Sequence, residues 1–320
     1  MTTTPAFEAH GFTFRIASSD AEIVGAFDEL LIDMRVDDDD ANHCIDIEPM
    51  SPADGALRVR VRFDDEPLHE SLAQGSVISH VLMELNRRVA STIRENGSVP
   101  LHASTVTGAH GAVVLAGASH SGKTTLAAAL ALVGGGRDGL LADEVSAFDP
   151  ADLVVAPYGK PAALRMPGVD LLAPSVPRLQ RPAGRFERDE RFVPPSEFGV
   201  HPVGPAAVAA LVFPRFEATS APGSAPRLDA VGPVDALTRL MQLVLGSAPP
   251  DLDTFRGLER LMREVDAYDV VYSDAFEAAA CLAQTFDHSP TTSDSPETSN
   301  HGTRGESADR IVTRQNAPEM

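Results

Sequence analysis

The sequence predicts an α/β protein whose main domain is preceded by a small α+β region. Three patterns carry that expectation. Residues up to about 70 alternate with the period of strands, and residues 75–95 repeat with the period of a helix. Residues 98–165 read strand, turn, strand, glycine-rich loop, helix, strand, strand. The divisions expected are an N-terminal α+β region 1–96, a main domain 97–286 and a tail 287–320.

In the first region Phe12, Phe14 and Ile16 interleave with Thr13 and Arg15, and Leu57, Val59, Val61 and Phe63 alternate with Arg58, Arg60 and Arg62. That is the pattern of a sheet with one wet face. The acid run Asp37–Asp40 reads as a solvated loop, because a calcium site needs spaced ligands and a turn glycine. His43, Cys44, Asp46 and Glu48 alternate with Ile45 and Ile47, which fits an edge strand better than a metal site. Val77, Ile78, Val81, Leu82, Leu85, Val89 and Ile93 then recur at helical spacing, and Asn96-Gly97 ends that helix.

VPLHASTVTG and AHGAVVLAG are strands joined by a turn near 108–111, and Thr124–Leu132 is an alanine-rich helix stopped by Gly134-Gly135-Gly136. GLLADEVSAF and LVVAPYGK supply further strands. Prolines and arginines crowd residues 166–205, which predicts a long loop or lid. Ala207–Phe213 is a strand, 217–230 a loop, and helices are expected near 233–246, 251–264 and 273–286, the last capped by Ser273. The tail is polar and expected to be disordered. No internal repeat is evident.

Composition limits the functions available. The 320 residues carry 46 acids against 26 bases, a formal charge of −20 that argues against nucleic-acid or anionic-membrane partners. Nineteen of the acids and eight of the bases fall before residue 96. Two distant cysteines, Cys44 and Cys281, offer neither a disulfide framework nor a zinc spacing. No apolar run is long enough for a spanning helix, and the first residues lack a signal-peptide pattern, so the expected address is the cytoplasm. Only Lys123 and Lys160 are lysines; every other base is arginine.

The chemistry concentrates at Gly117-Ala118-Ser119-His120-Ser121-Gly122-Lys123-Thr124, which fits G-x-x-x-x-G-K-[ST]. Glycines let backbone N–H groups turn inward around phosphate oxygens, and the following helix adds its positive dipole end. Lys123 suits the β- and γ-phosphates, and the Thr124 hydroxyl suits Mg²⁺. Gly117, Ser119, Ser121, Gly122, Lys123, Thr124 and Thr125 are the candidate nucleotide contacts, with the His120 side chain facing solvent. An acid on the neighbouring strand is expected to manage the metal. Asp143 and Glu144 follow Lys123 by one helix, a turn and a strand. Neighbours on a regular strand face opposite sides, so both acids reach the site only where the strand ends or bulges. Asp143 is the first choice; the candidate metal contacts are Thr124, Asp143 and Glu144. His102 lies on the preceding strand, Ser104 has less claim, and Lys160 reads as a solvated loop lysine, with contact to phosphate as the alternative.

Together, Leu101-His102-Ala103-Ser104, Gly117–Thr124 and Leu141-Ala142-Asp143-Glu144 resemble the HPr kinase/phosphorylase family, and more closely its diverged bacterial HPr-kinase-related proteins. The resemblance covers roughly residues 98–165. It implies a P-loop domain of the PEP-carboxykinase-like type, and an ATP- and Mg²⁺-dependent kinase that moves the γ-phosphoryl to a serine hydroxyl. Lys123 would hold phosphate, Asp143 would be metal contact or general base, and His102 would lie beside the phosphates. The family's acid pair is usually two aspartates, whereas the second here is Glu144, and the arginine-glycine signature of its bifunctional members is not found. Reverse phosphorolysis is therefore not expected. The acceptor, whether protein, peptide or small molecule, is not identified, and Arg165, Arg178 and Arg215 are the candidates for stabilising transferred charge. Family kinases are often homo-oligomers. The alternative is an ATP-binding regulatory or accessory protein without phosphoryl transfer.

Overall fold

Alternation in the first seventy residues resolves into one six-stranded sheet. This computed structural model describes residues 1–37, 40–50, 57–135, 138–200, 204–218, 225–246 and 249–287. The sheet contains β1 (Thr2–Thr3), β2 (Phe7–Ala9), β3 (Phe12–Ser18), β4 (His43–Met50), β5 (Arg58–Phe63) and β6 (Glu66–Ala73), in the order β1-β3-β4-β5-β6 with β2 also on β3. Phe12, Phe14, Ile16, Ile45, Ile47, Val59, Val61 and Phe63 all turn inward and are buried. The arginines of β5 take the other face, as a period of two requires. Leu57 is exposed and precedes the strand.

One detail differs from the expectation. β4 is an interior strand, parallel to β3 and antiparallel to β5, because α1 (Ala21–Leu30) supplies the crossover that a parallel pair needs. Asp20 caps α1 by accepting from the Glu22 N–H. In addition, the centre of the Asp37–Asp40 run lies outside the described residues. His43–Met50 is one continuous strand, as the alternation requires.

α2 (Val77–Glu95) buries all seven residues of the helical repeat and ends at Gly97, whose φ of +83° is readily available to glycine. The chain then builds the second sheet. Its strands are β7 (Val99–Leu101), β8 (Ala103–Gly108), β9 (Gly111–Ala116), β10 (Gly139–Ala142), β11 (Ser146–Asp149) and β12 (Val154–Ala156), with α3 (Lys123–Val133) between β9 and β10. A two-stranded ribbon of β13 (Ala162–Leu164) and β14 (Arg191–Val193) encloses α4 (Gly168–Leu172). β15 (Ala206–Phe216), β16 (Arg227–Val231), α5 (Pro233–Met241), α6 (Leu252–Glu264), β17 (Ala267–Tyr272) and α7 (Ala275–Asp287) complete the described chain.

β15 is the spine of this sheet. It runs parallel to β9 and to β17, and its start pairs antiparallel with β12. Alternate residues of the central strands serve two cores. Val113, Leu115, Val212 and Val270 pack with α3 and α7, whereas Val114, Ala116, Leu211 and Phe213 pack with α5 and α6. Helices thus cover both faces of a mostly buried sheet. The molecule is a mixed α/β protein. The first core runs across the 96/97 division, joining β2–β5, α1 and α2 to Ala142, Val145, Tyr158, Phe186 and Phe192.

Several expectations for the C-terminal half need correction. β17 is a parallel strand where none is expected, and β16 turns the end of the 217–230 loop into its antiparallel partner. The three helices run 233–241, 252–264 and 275–287, and the last is capped by Asp274, whose Oδ1 accepts from Phe276 and Glu277, rather than by Ser273. The 166–205 segment is no free lid among its described residues. Val169, Leu172, Val176, Leu179 and Phe198 are buried in the α3/α7 core, and Arg178 pairs with Glu29 of α1. The expected tail lies outside the described residues from 288 onward. Among the described residues no helix is long and apolar enough to cross a membrane.

Candidate functional site

β9 delivers the chain into the sheet's edge through five buried residues, Ala112–Ala116, and the loop 117–122 turns it into α3. Gly122 has φ +92°, and a Cβ there would run into the Tyr272 hydroxyl, which donates to the Gly122 carbonyl at 3.1 Å. The turn therefore demands glycine twice over, for conformation and for space. His120 also takes a left-handed φ of +67°. α3 starts with no side-chain cap on its N–H groups, so its first turn stays open to an anion. Lys123 is buried, with Nζ donating to the Gly117 and Ala118 carbonyls at 2.8 and 2.9 Å. Burial pulls its pKa down, and Asp143 and Glu144 oppose that pull.

The acids arrive from β10. This strand pairs with β8 rather than with β9, so the acid strand is one place further from the loop than a neighbouring strand would be. The distance is bridged because α3 packs over β8 and sets Thr124 above the end of β10. β10 ends at Ala142, and Glu144 adopts φ +66°. This end of the strand lets both acids serve one site. Asp143 is 1% exposed; its Oδ1 accepts from Thr124 Oγ1 at 2.9 Å and from Ser104 Oγ at 2.6 Å. Its Oδ2 is buried and without a hydrogen-bond partner, as is Ser121 Oγ in the loop. An unpaired buried carboxylate oxygen is costly, and a cation beside it would satisfy it. The donor set of Thr124 hydroxyl and Asp143 carboxylate suits a hard cation such as Mg²⁺, which binds few protein oxygens and keeps water or phosphate for the rest.

Lys160 overturns its sequence reading. It is fully buried, and its Nζ donates to Glu144 Oε2 at 2.9 Å. The same oxygen accepts from Asn86 Nδ2 of α2 at 2.7 Å, and Asn86 Oδ1 accepts from the Tyr158 hydroxyl at 3.1 Å. Lys160, aided by Asn86, holds the Glu144 carboxyl well below the usual carboxylate range. Burial alone would lower the Lys160 pKa, but Glu144 and Asp143 outweigh it and the net direction is up. Two backbone features put Lys160 there. The Tyr158 N–H donates to the Leu141 carbonyl at 2.8 Å, and Gly159 passes against the backbone of Asp33, where a Cβ would clash.

Glu144 and the start of α3 border a cavity of about 400 Å³. Ser119, Gly122, Lys123, Thr124 and Thr125 line one wall, with His102 and Glu144 beside them. Asp143 sits behind that wall, and Gly117 and Ser121 lie within the loop. His102 is half-buried, and burial followed by the nearby Lys123 charge lowers its pKa. Across the cavity stand Arg165, Glu190 and the start of α4; Phe216, Tyr272 and Ser273 close another side. His120 is exposed as expected, and it also lines the cavity, against Arg165. Arg178 and Arg215 do not line the cavity and pair with Glu29 and Glu217.

Sequence reasoning therefore brought the loop, His102 and the acid pair together correctly as neighbours. It missed Asn86, Tyr158 and Glu190, undervalued Ser104 and misplaced Lys160. The scarcity of lysine was the one available signal for Lys160. No protein-family model matches the chain, and no curated protein matches it.

Proposed function

We propose that the chain is an ATP- and Mg²⁺-dependent phosphotransferase of the HPr-kinase-like P-loop type, moving the γ-phosphoryl of ATP to the hydroxyl of an acceptor. The observation that carries this reading is the Thr124–Asp143 pair at the foot of an uncapped helix. It joins a glycine-rich loop and a buried lysine to a carboxylate with one oxygen unsatisfied. Loop N–H groups and the first turn of α3 would bind the phosphates, and Lys123 would leave the loop carbonyls to neutralise them. Thr124 and Asp143 would hold Mg²⁺, which when bound offsets charge on the phosphate oxygens.

The burial of Asp143 and the engagement of its Oδ1 suit it to the metal better than to a proton-accepting role. Among the proton-accepting groups that line the cavity, His102 and Glu144 are the ones that feel the Lys123 charge. Glu144 is held as a strongly stabilised anion and is a weak base. His102, half-buried beside Lys123, is the group left to accept the proton, since burial favours its uncharged, proton-accepting form. Glu144 then acts as a fixed charge that orders Lys160 beneath the site.

Incubation of the purified protein with γ-labelled ATP, Mg²⁺ and a lysate of the source cells tests the reading. A discrete labelled acceptor, lost with Asp143→Asn in a protein that melts normally, supports it. Tight ATP binding with no label transferred at any pH supports a nucleotide-binding regulatory protein instead.

A further inference from the structure

Arg165 is held in a way that its contribution to stability does not explain. It follows β13, and the Val169 N–H donates to its carbonyl at 3.1 Å, so its backbone starts α4. Gly168 presses that turn onto the first turn of α3, where a Cβ would stand 2.6 Å from Thr125 Oγ1. The side chain is more than half exposed, yet Glu190 grips one edge of it. Nε and Nη2 both reach Glu190 Oε1, at 2.7 and 2.6 Å. Glu190 is itself mostly buried, and its Oε2 accepts from Ser79 Oγ of α2 at 3.0 Å. The remaining nitrogen, Nη1, lies 3.3 Å from Nε2 of His120 in the glycine-rich loop. Exposed ion pairs add little to stability. An anchored carboxylate that fixes an exposed guanidinium over a phosphate-binding loop is a positioning device. Among the described residues Arg165 is the one arginine lining the cavity.

We propose that Arg165 is a catalytic residue that hydrogen-bonds the transferring phosphoryl group, and that Glu190 is its positioning residue. This rests on the phosphotransferase reading of the same cavity. In the transfer, the acceptor oxygen bonds to the γ-phosphorus as the bond from that phosphorus to the β,γ-bridging oxygen breaks. The electron pair of the breaking bond stays on the bridging oxygen, which leaves with ADP, and the acceptor proton passes to His102. Charge spreads over the phosphoryl oxygens and the bridging oxygen at that moment. A guanidinium already fixed there stabilises it without reorganising. Because the gain is specific to that charge distribution, Arg165 contributes little to ground-state nucleotide binding.

The test compares the binding of Mg·ADP with that of Mg·ADP plus aluminium fluoride, a mimic of the transferring group, in the full chain. Arg165→Gln should leave Mg·ADP affinity within about twofold and weaken the fluoride complex at least about tenfold, a conservative share of what charge-stabilising arginines supply. Arg165→Lys, lacking the fork, should recover part of the loss. Glu190→Gln should shift only the fluoride complex, by a smaller factor. If Arg165→Gln weakens both complexes equally, or neither, the assignment of Arg165 is overturned while the nucleotide site stands. If the unmodified protein binds neither complex, the functional reading itself fails.

Discussion

In the N-terminal sheet, Arg58, Arg60 and Arg62 line the outer face of β5, and Arg60 bonds to Glu48 and Glu70 in solvent. In the second sheet, Lys123, Asp143 and Lys160 are buried around the end of β10. The two regions use charge for opposite ends. The first keeps a wet face wet, and any one pair can be lost. The second places charge where water cannot screen it, so each group depends on its partners. Residue choice follows the same division. Apart from His43–Asp64, the surface pairs are made with arginine, whereas both lysines of the chain stand at the site, where a compact ammonium on a flexible stem fits a confined place.

Breaking the buried pair gives the largest expected effect. Glu144→Ala leaves Lys160 buried without its ion-pair partner and should cost about 3 kcal/mol, the usual penalty for stranding a buried charge. Lys160→Met should cost less, since Glu144 still reaches solvent. Equal costs in urea titrations would show that the asymmetry of burial is not what matters. Next in size, Gly168→Ala drives a methyl into Thr125 and should cost about 1–3 kcal/mol, as overpacking does. Thr125→Ala in the same chain should return most of that loss.

The acid limb sharpens the comparison further. The folded Glu144 pKa is depressed, so its contribution is complete above the unfolded value. It declines as pH falls from about 4.5 towards about 2. The stability gap between the unmodified protein and Glu144→Ala should therefore be flat from neutral pH to about 4.5 and close below it. A gap that widened on acidification would contradict the sign. In the first region the effects are small. Gly25 lies inside α1 with open space around it, so Gly25→Ala should raise stability by about 0.5–1 kcal/mol. Glu70→Gln should leave the melting temperature unchanged.

What could be read from the sequence follows from how local each signal is. The loop at 117–124, the helix at 77–95 and the alternation of β3 and β5 are short-range patterns, and each stands where it was expected. The acid pair was legible because a helix and a strand span a fixed length. β17 was not, since Asp266 and Asp269 interrupt a short apolar run and its strand character comes from pairing along β15. Lys160 looked solvated because Tyr158-Gly159-Lys160-Pro161 has the composition of a loop. Its burial depends on Asn86, Glu144 and the backbone of Asp33, all distant in sequence. The choice of Arg165 over Arg178 and Arg215 likewise rests on Glu190 and Ser79, which no spacing rule connects.

On the proposed function, the loop before α3 is a nucleotide-phosphate site with Lys123 at its heart. Calorimetric titration of Mg·ATP into the unmodified protein and into Lys123→Ala tests it most directly. Saturable binding that weakens by about a hundredfold or more in the variant, roughly 2.7 kcal/mol, is the predicted result. No binding to the unmodified chain, or the same affinity in both proteins, would rule this site out.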